Sequence, residues 1–277
     1  DLFKSPESLD YSTETDPKKK GSYYLVNSRS DRFDGNLTLA YNKTIDKHML
    51  NVGVGSNIMQ SETEGESFTG VGFINPDMIF IGAANAFQEN TSPQGTYDKS
   101  RLVGFFTNVN YGYGNRYFLD FSFRSDGSSK FGRNSRFAPF WSFGLGVNLH
   151  KYDFIQSLGF VNQLKVRASY GQIGKANFPA YAARSTYDIV TDEWYKTGIS
   201  TRLKALGNKN LTWETTNTFD IGAELSLFND LLYVKGAYYD KRTIDLVNDV
   251  TVPTSTGFSS YRDNVGEISN KGYEFDV

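Results

Sequence analysis

The side chains able to do covalent chemistry are few in this chain, and their spacing argues against catalysis. Cysteine is absent from all 277 residues, which removes thiol nucleophiles, disulfide frameworks and cysteine-based zinc sites together. The two histidines, His48 and His150, stand far apart, and neither has a second histidine at ligand spacing. Carboxylates are plentiful, but close pairs such as Glu62 with Glu64 and Asp192 with Glu193 lack a histidine partner, and a solvated acidic loop is the ordinary meaning of such pairs. No Ser/His/Asp set can be assembled from histidines so placed. Asp126-Gly127-Ser128-Ser129 reads as a tight reversal at a strand end, because a phosphate cradle would need a glycine-rich loop closing on Gly-Lys-Ser/Thr between a strand and a helix. The expectation is therefore no enzyme, no catalytic residue, no metal and no cofactor.

Aromatic rings are the abundant alternative, with 22 Phe, 18 Tyr and 3 Trp. The stretch from Lys175 to Thr212 holds Phe178, Tyr181, Tyr187, Trp194 and Tyr195 outside any periodic segment. Flat aromatic faces stack on sugar rings or grip apolar peptide side chains, which makes Trp194, Tyr195, Tyr181 and Tyr187 the candidate substrate-binding residues. The competing reading is that these rings pack the loop on itself or on a partner protein. With 29 basic against 31 acidic residues and a net charge of -2, there is no basic field to collect phosphates, so nucleic-acid binding is not expected.

The elements that would carry such a loop are strands. Apolar residues recur with period two, as in Tyr117, Leu119, Phe121 and Phe123 interleaved with Arg116, Asp120, Ser122 and Arg124. Phe219, Ile221, Ala223, Leu225 and Leu227 alternate in the same way with Thr218, Asp220, Gly222, Glu224 and Ser226. Nine strands are predicted, over 33–43, 48–60, 101–113, 116–126, 137–149, 163–173, 213–228, 231–245 and 265–277. Short links (44–47, 114–115, 229–230) alternate with long ones (61–100, 127–136, 174–212, 246–264), and an intermediate link, 150–162, has room for a turn of helix. Short periplasmic turns and long extracellular loops are the pattern of outer-membrane barrels. Tyr41, Tyr111, Tyr113, Tyr117, Phe228 and Tyr233 lie close to the short links, where a membrane-interface girdle belongs. The mean hydropathy of -0.46 does not oppose this, because barrel strands are apolar on one face only. A soluble β-sandwich also alternates, but its strands usually run to about five or six residues, shorter than these.

Four motifs carry a resemblance. They are Arg124-Ser125-Asp126-Gly127-Ser128-Ser129-Lys130-Phe131-Gly132 with Arg136-Phe137-Ala138-Pro139-Phe140-Trp141-Ser142; Leu164-Lys165-Val166-Arg167-Ala168-Ser169-Tyr170-Gly171-Gln172-Ile173-Gly174; Asn208-Lys209-Asn210-Leu211-Thr212-Trp213-Glu214-Thr215-Thr216; and Asn264-Val265-Gly266-Glu267-Ile268-Ser269-Asn270-Lys271-Gly272-Tyr273-Glu274. In order and spacing the chain resembles the barrel of SusC/RagA-type TonB-linked outer-membrane transporters, with weaker similarity back to about Gly35 and little in residues 1–32. The resemblance implies an all-β, antiparallel transmembrane β-barrel segment, about nine strands of a barrel of about 22. Residues 1–32 would be an extracellular loop or extended segment and residues 33–277 a partial barrel, with the plug, the TonB box and the remaining strands outside the chain. It further implies the outer membrane of a Gram-negative bacterium and import of a large nutrient, an oligosaccharide or a peptide. The implied partners are a SusD-like surface lipoprotein, TonB (through the missing N-terminal part) and outer-membrane lipid. Lys165 and Arg167 would then face the lumen, paired with Asp220, Glu224 or the plug, and Trp213 would be a packing or interface anchor. A soluble β-sandwich glycan-binding domain and a passive porin are the alternatives.

Overall fold

A computed structural model describes residues 2–89, 91–132, 135–176, 178–196 and 198–277, without the side chains of 189–195 and 199. Fifteen strands occur among these residues: β1 (Leu2–Lys4), β2 (Ser22–Ile45), β3 (His48–Val71), β4 (Ala86–Phe87), β5 (Gln94–Tyr113), β6 (Tyr117–Ser128), β7 (Phe137–Asn148), β8 (Val161–Lys175), β9 (Thr186–Tyr195), β10 (Gly198–Ala205), β11 (Glu214–Leu227), β12 (Leu232–Ile244), β13 (Val247–Thr251), β14 (Ser260–Asn264) and β15 (Ile268–Asp276). One sheet runs in the order β1-β2-β3-β5-β6-β7-β8-β11-β12-β15, with β4 on β3; β9 pairs with β10 and β13 with β14 in separate hairpins. All nine predicted strands are present as β2, β3, β5, β6, β7, β8, β11, β12 and β15. The sequence underestimates the first three, and it reads as plain loop the stretches that fold into the two hairpins.

Contacts divide the chain into two units, 1–33 with 60–100 and 34–59 with 101–277. In the first, β1 lies antiparallel on the start of β2 (Lys4 opposite Ser22), so residues 22–32 are strand. Phe73 is buried and meets the Phe3 ring edge-on at 5.3 Å. Glu62 accepts from both Tyr97 (2.7 Å) and Lys99 (2.6 Å).

The second unit is a registered antiparallel wall. Facing residues of neighbouring strands share a face, so rows can be followed across it. One row reads Val109, Phe121, Phe143, Tyr170, Phe219, and the next Tyr111, Leu119, Leu145, Ala168, Ile221, Tyr238, Tyr273. On the opposite face run Asn110, Asp120, Gly144, Ser169, Asp220, and further along Asn148, Lys165, Glu224, Lys235. The alternation in sequence thus becomes one apolar and one polar face. Lys165 and Glu224 stand directly opposite each other, although among the described residues no ion pair closes between them. A short register shift would exchange the two faces, so this pattern fixes the register.

The short links collect at one end of the wall. Asp46, Gly114, Asn115, Phe228, Asn229 and Asp230 all adopt left-handed backbone (φ 52, 57, 53, 53, 55 and 66°), the geometry of tight hairpins whose twist matches the strands. Rings crowd the same end. Tyr113 stacks near Tyr117 at 6.4 Å, Tyr117 and Tyr152 share a hydrogen bond of 2.5 Å, and Phe160 stacks on Phe228 at 5.8 Å. His48 Nδ1 meets the Tyr111 hydroxyl at 2.7 Å. The intermediate link holds the single helical turn anticipated, Asp153–Gln156.

One local expectation fails. Asp126-Gly127-Ser128 does not form the reversal, since β6 runs on to Ser128. Gly127 stands opposite Phe137, and a Cβ there would approach that ring to 2.5 Å. The glycine makes room for an aromatic neighbour across the strand pair.

Among the described residues the sheet path is open, with β15 at one end and β2, covered by β1 only at Ser22–Tyr24, at the other. Unpaired strand edges template aggregation in water and are intolerable in hydrocarbon. Residues 1–277 produced alone should therefore require detergent and form no closed monomeric pore; a detergent-free monomer with a single cooperative melt, seen by light scattering and calorimetry, would contradict this.

Candidate functional site

The four sequence motifs converge on one aromatic junction at the long-link end of the wall. Phe131 from the first motif, Phe140 from its continuation on β7, and Leu211 and Trp213 from the third are all buried, together with Phe178 and Ala183. Trp213 stacks on Phe131 at 4.6 Å and meets Phe140 nearly edge-on at 5.6 Å, while Phe178 caps Phe131 at 5.0 Å. Gly174 of the second motif lies beneath the Phe140 ring, where any Cβ would collide with it. The fourth motif locks the junction through polar contacts. Asn264 Oδ1 accepts from the Thr212 amide (2.8 Å), and its amide group donates to the carbonyls of Thr212 and Asp245 (3.0 and 2.8 Å). Buried Glu214 accepts from the Val247 amide at 3.0 Å. Trp213 is therefore the packing anchor the sequence indicated.

Above this junction the stretch 176–212 and the β13/β14 hairpin enclose a cleft of about 400 Å³. Its lining combines an apolar floor (Pro179, Ala180, Ala182, Leu206), two rings (Tyr181, Tyr261) and the charged residues Arg184, Lys204, Asp249 and Arg262. Lys204 is held by Asp188 at 2.9 Å and Arg262 by Asp249 at 3.2 Å. The Tyr261 hydroxyl donates to Asp263 at 3.1 Å, and this hydrogen bond raises its pKa above the ordinary phenol value. Tyr181 adopts a left-handed backbone (φ 67°), uncommon for a bulky residue, and its carbonyl accepts from the Arg184 amide at 2.8 Å to close a turn. An apolar floor with a few convergent polar groups is the usual make-up of a small-ligand site.

Of the four residues singled out from sequence, Tyr181 lines the cleft. Tyr187, exposed on β9 opposite Leu203, is outside the lining. Trp194 and Tyr195 stand opposite Ile199 and Gly198 near the tip of the β9/β10 hairpin, about 25 Å from its base at a strand rise of about 3.3 Å per residue; their side chains lie outside the described set. Tyr181 and Tyr187 are thus not brought to one lining. Arg184, Tyr261 and Arg262 escape the sequence reading because the cleft exists only once two hairpins, distant in sequence, are docked.

The model of the family "TonB dependent receptor-like, beta-barrel" matches residues 3–277. The chain belongs to this family. TonB-dependent receptor P26 of Formosa agariphila is 32% identical over 244 residues, 87% of this chain and 24% of P26. TonB-dependent receptor SusC of Bacteroides thetaiotaomicron is 32% identical over 189 residues, 65% of this chain and 18% of SusC. The structure of the RagAB peptide transporter matches with a TM-score of 0.85 at 26% identity, covering 92% of this chain and 28% of that one. The chain spans about a quarter of the length of the curated relatives it matches. It is a SusC/RagA-type segment of an outer-membrane β-barrel.

Membership in the TonB-dependent receptors gives the two faces and two ends their meaning. The apolar face meets lipid, the polar face lines the lumen, and the tight turns are periplasmic. It also accounts for charges on the lipid-side face. Asp240, paired with Lys271 at 2.9 Å, and Arg242, paired with Glu267 at 2.7 Å, share rows with Phe219 and Asn217. The top of the apolar band falls from Phe123 on β6 to Tyr238 on β12, whose row passes through Leu119. That step is about 13 Å along a strand. Strands tilted by roughly 40° and spaced about 4.8 Å apart lift a row by about 3 Å at each strand. Four strand steps lift these charges about 12 Å relative to the same rows on β6, toward the edge of the apolar band.

Proposed function

We propose that this chain forms wall and extracellular loops of a transporter that imports a large nutrient, an oligosaccharide or a peptide, across the outer membrane. The cleft at the long-link end carries this reading: rings and charges stand on a scaffold of buried aromatics at the end of the wall where such barrels meet the outside. Loops held by a rigid scaffold are where recognition concentrates. The similarity to the RagAB peptide transporter supports a peptide as one class of cargo, and the SusC/RagA-type resemblance carries the reading that a SusD-like surface lipoprotein sits over the extracellular mouth. TonB is engaged by a part of the full protein outside this chain. Residues 1–32 supply extracellular structure and 33–277 the wall, with lipid around it and no catalytic step in its work.

Replacing Tyr181 by Ala in the full-length transporter should weaken nutrient binding by about 1–3 kcal/mol, the scale of a well-packed aromatic anchor, with unchanged barrel assembly. The joint change Trp194→Ala with Tyr195→Ala separates the two readings of the hairpin tip. Lost nutrient affinity, measured by calorimetry, places the tip on the substrate; a weaker complex with the lipoprotein in pull-down places it on the lid. No change in nutrient affinity with any of the three substitutions would remove substrate contact from these loops.

A further inference from the structure

The cleft is not electrostatically closed. Lys204 and Arg262 each have a carboxylate partner, Asp188 and Asp249, whereas Arg184, exposed and lining the same cleft, has no acidic partner among the described residues. Its backbone is held on three sides. Ala183, immediately before it, is buried in the aromatic junction. The Arg184 amide closes the turn on the Tyr181 carbonyl. Gly207 passes so close to the Arg184 and Ser185 backbone that a Cβ at Gly207 would collide with it, and the Gly207 amide donates to Ser185 Oγ at 3.3 Å. An unpaired guanidinium on a fixed backbone, beside an apolar floor and the Tyr181 ring, is arranged for a ligand rather than for fold stability, because an exposed charge without a partner contributes little to folding.

Resting on the proposed import function, we infer that the cleft selects a carboxylate-bearing nutrient, with Arg184 gripping the carboxylate and the apolar floor holding the body next to it. The planar guanidinium fork matches two carboxylate oxygens at once, which a neutral hydroxyl or amide does not. An acidic sugar ring and the terminal or side-chain carboxylate of a peptide are two sources of that one chemistry.

The experiment uses the full-length transporter and two ligand pairs: a uronate-containing oligosaccharide with its carboxyl-reduced counterpart, and an acidic peptide with its fully amidated counterpart. The wild type should bind the acidic member of one pair about tenfold more tightly than its neutral member, the scale of one hydrogen-bonded charge contact. The pair that shows the difference identifies the source. Arg184→Gln should abolish the preference while leaving affinity for the neutral member in place, and Arg184→Lys should keep part of it. Equal binding of acidic and neutral members by the wild type, or a preference that survives Arg184→Gln, overturns the inference and leaves the import reading intact. Failure of the wild type to bind any of the four ligands overturns both.

Discussion

Placing arginine at Phe121 should destabilise the assembled full-length barrel by about 2–4 kcal/mol, the cost of a cation facing lipid near the bilayer midplane. Phe121 sits between Val109 and Phe143 in an apolar row that continues through Tyr170 to Phe219. About 13 Å of strand separates Phe121 from Tyr117 in the girdle, which is about 10 Å of height at a tilt of roughly 40° and places Phe121 close to the midplane. Ser122, the next residue, points to the lumen and donates to Asn108 at 2.7 Å. Arginine there should cost less than about 1 kcal/mol, since lumen positions tolerate charge. Ser226, on the same polar face, is a poor control because it is buried and hydrogen-bonded to Asp230. Denaturant unfolding of the barrel from lipid vesicles measures the difference, and equal costs at Phe121 and Ser122 would refute the assignment of faces.

The second large effect belongs to the aromatic junction. Trp213→Ala removes the ring that stacks on Phe131 and meets Phe140, in a cluster where Leu211 is fully buried. Truncating a buried tryptophan costs about 3–5 kcal/mol, because a cavity replaces the lost contacts. The loss should be local. Residues 176–212 and 245–267 hang on this cluster through Phe178, Ala183 and the Asn264 contacts, so they should become protease-sensitive while β5 to β8 stay protected. Trp213→Phe should recover much of the stability. Gly174→Val should produce the same loop sensitivity by displacing the Phe140 ring that overlies Gly174. Limited proteolysis with mass spectrometry reads all three variants, and an unchanged cleavage pattern in Trp213→Ala would show that the junction does not hold the loops.

Most of the wall was legible in the sequence because burial on one face leaves a period-two trace, as at Tyr117 to Phe123 and Phe219 to Leu227. The turn end was legible through Asn115, Asn229 and Asp230, residue types that tolerate the left-handed backbone found there. The trace fades where strands leave the membrane. Residues 22–32 of β2 and 61–71 of β3 include polar runs such as Ser28-Arg29-Ser30-Asp31-Arg32 and Glu62-Thr63-Glu64, which are hydrophilic on both faces and carry no alternation. The β13/β14 hairpin was hidden because its strands, of five residues each, are too short to leave a periodic trace. The site was half legible. Of the aromatic residues from Lys175 to Thr212, Tyr181 lines the cleft, and Trp213 beside Leu211 packs as an anchor. Which rings meet which charges depends on docking Tyr181 and Arg184 against Tyr261 and Arg262, and nothing in the local sequence encodes that distance.

The central claim, that this sheet is an outer-membrane wall with lipid on one face and an aqueous lumen on the other, can be tested one residue at a time along β6. The chain has no cysteine of its own, so single cysteines introduced at successive positions from 117 to 124 in the full-length protein report on their own surroundings. In intact outer membranes, cysteines at 117, 119, 121 and 123 should react with a lipid-phase probe and resist a water-soluble maleimide, while those at 118, 120, 122 and 124 should do the reverse. Labelling by the water-soluble reagent at both sets alike, or a pattern without period two, would contradict the account.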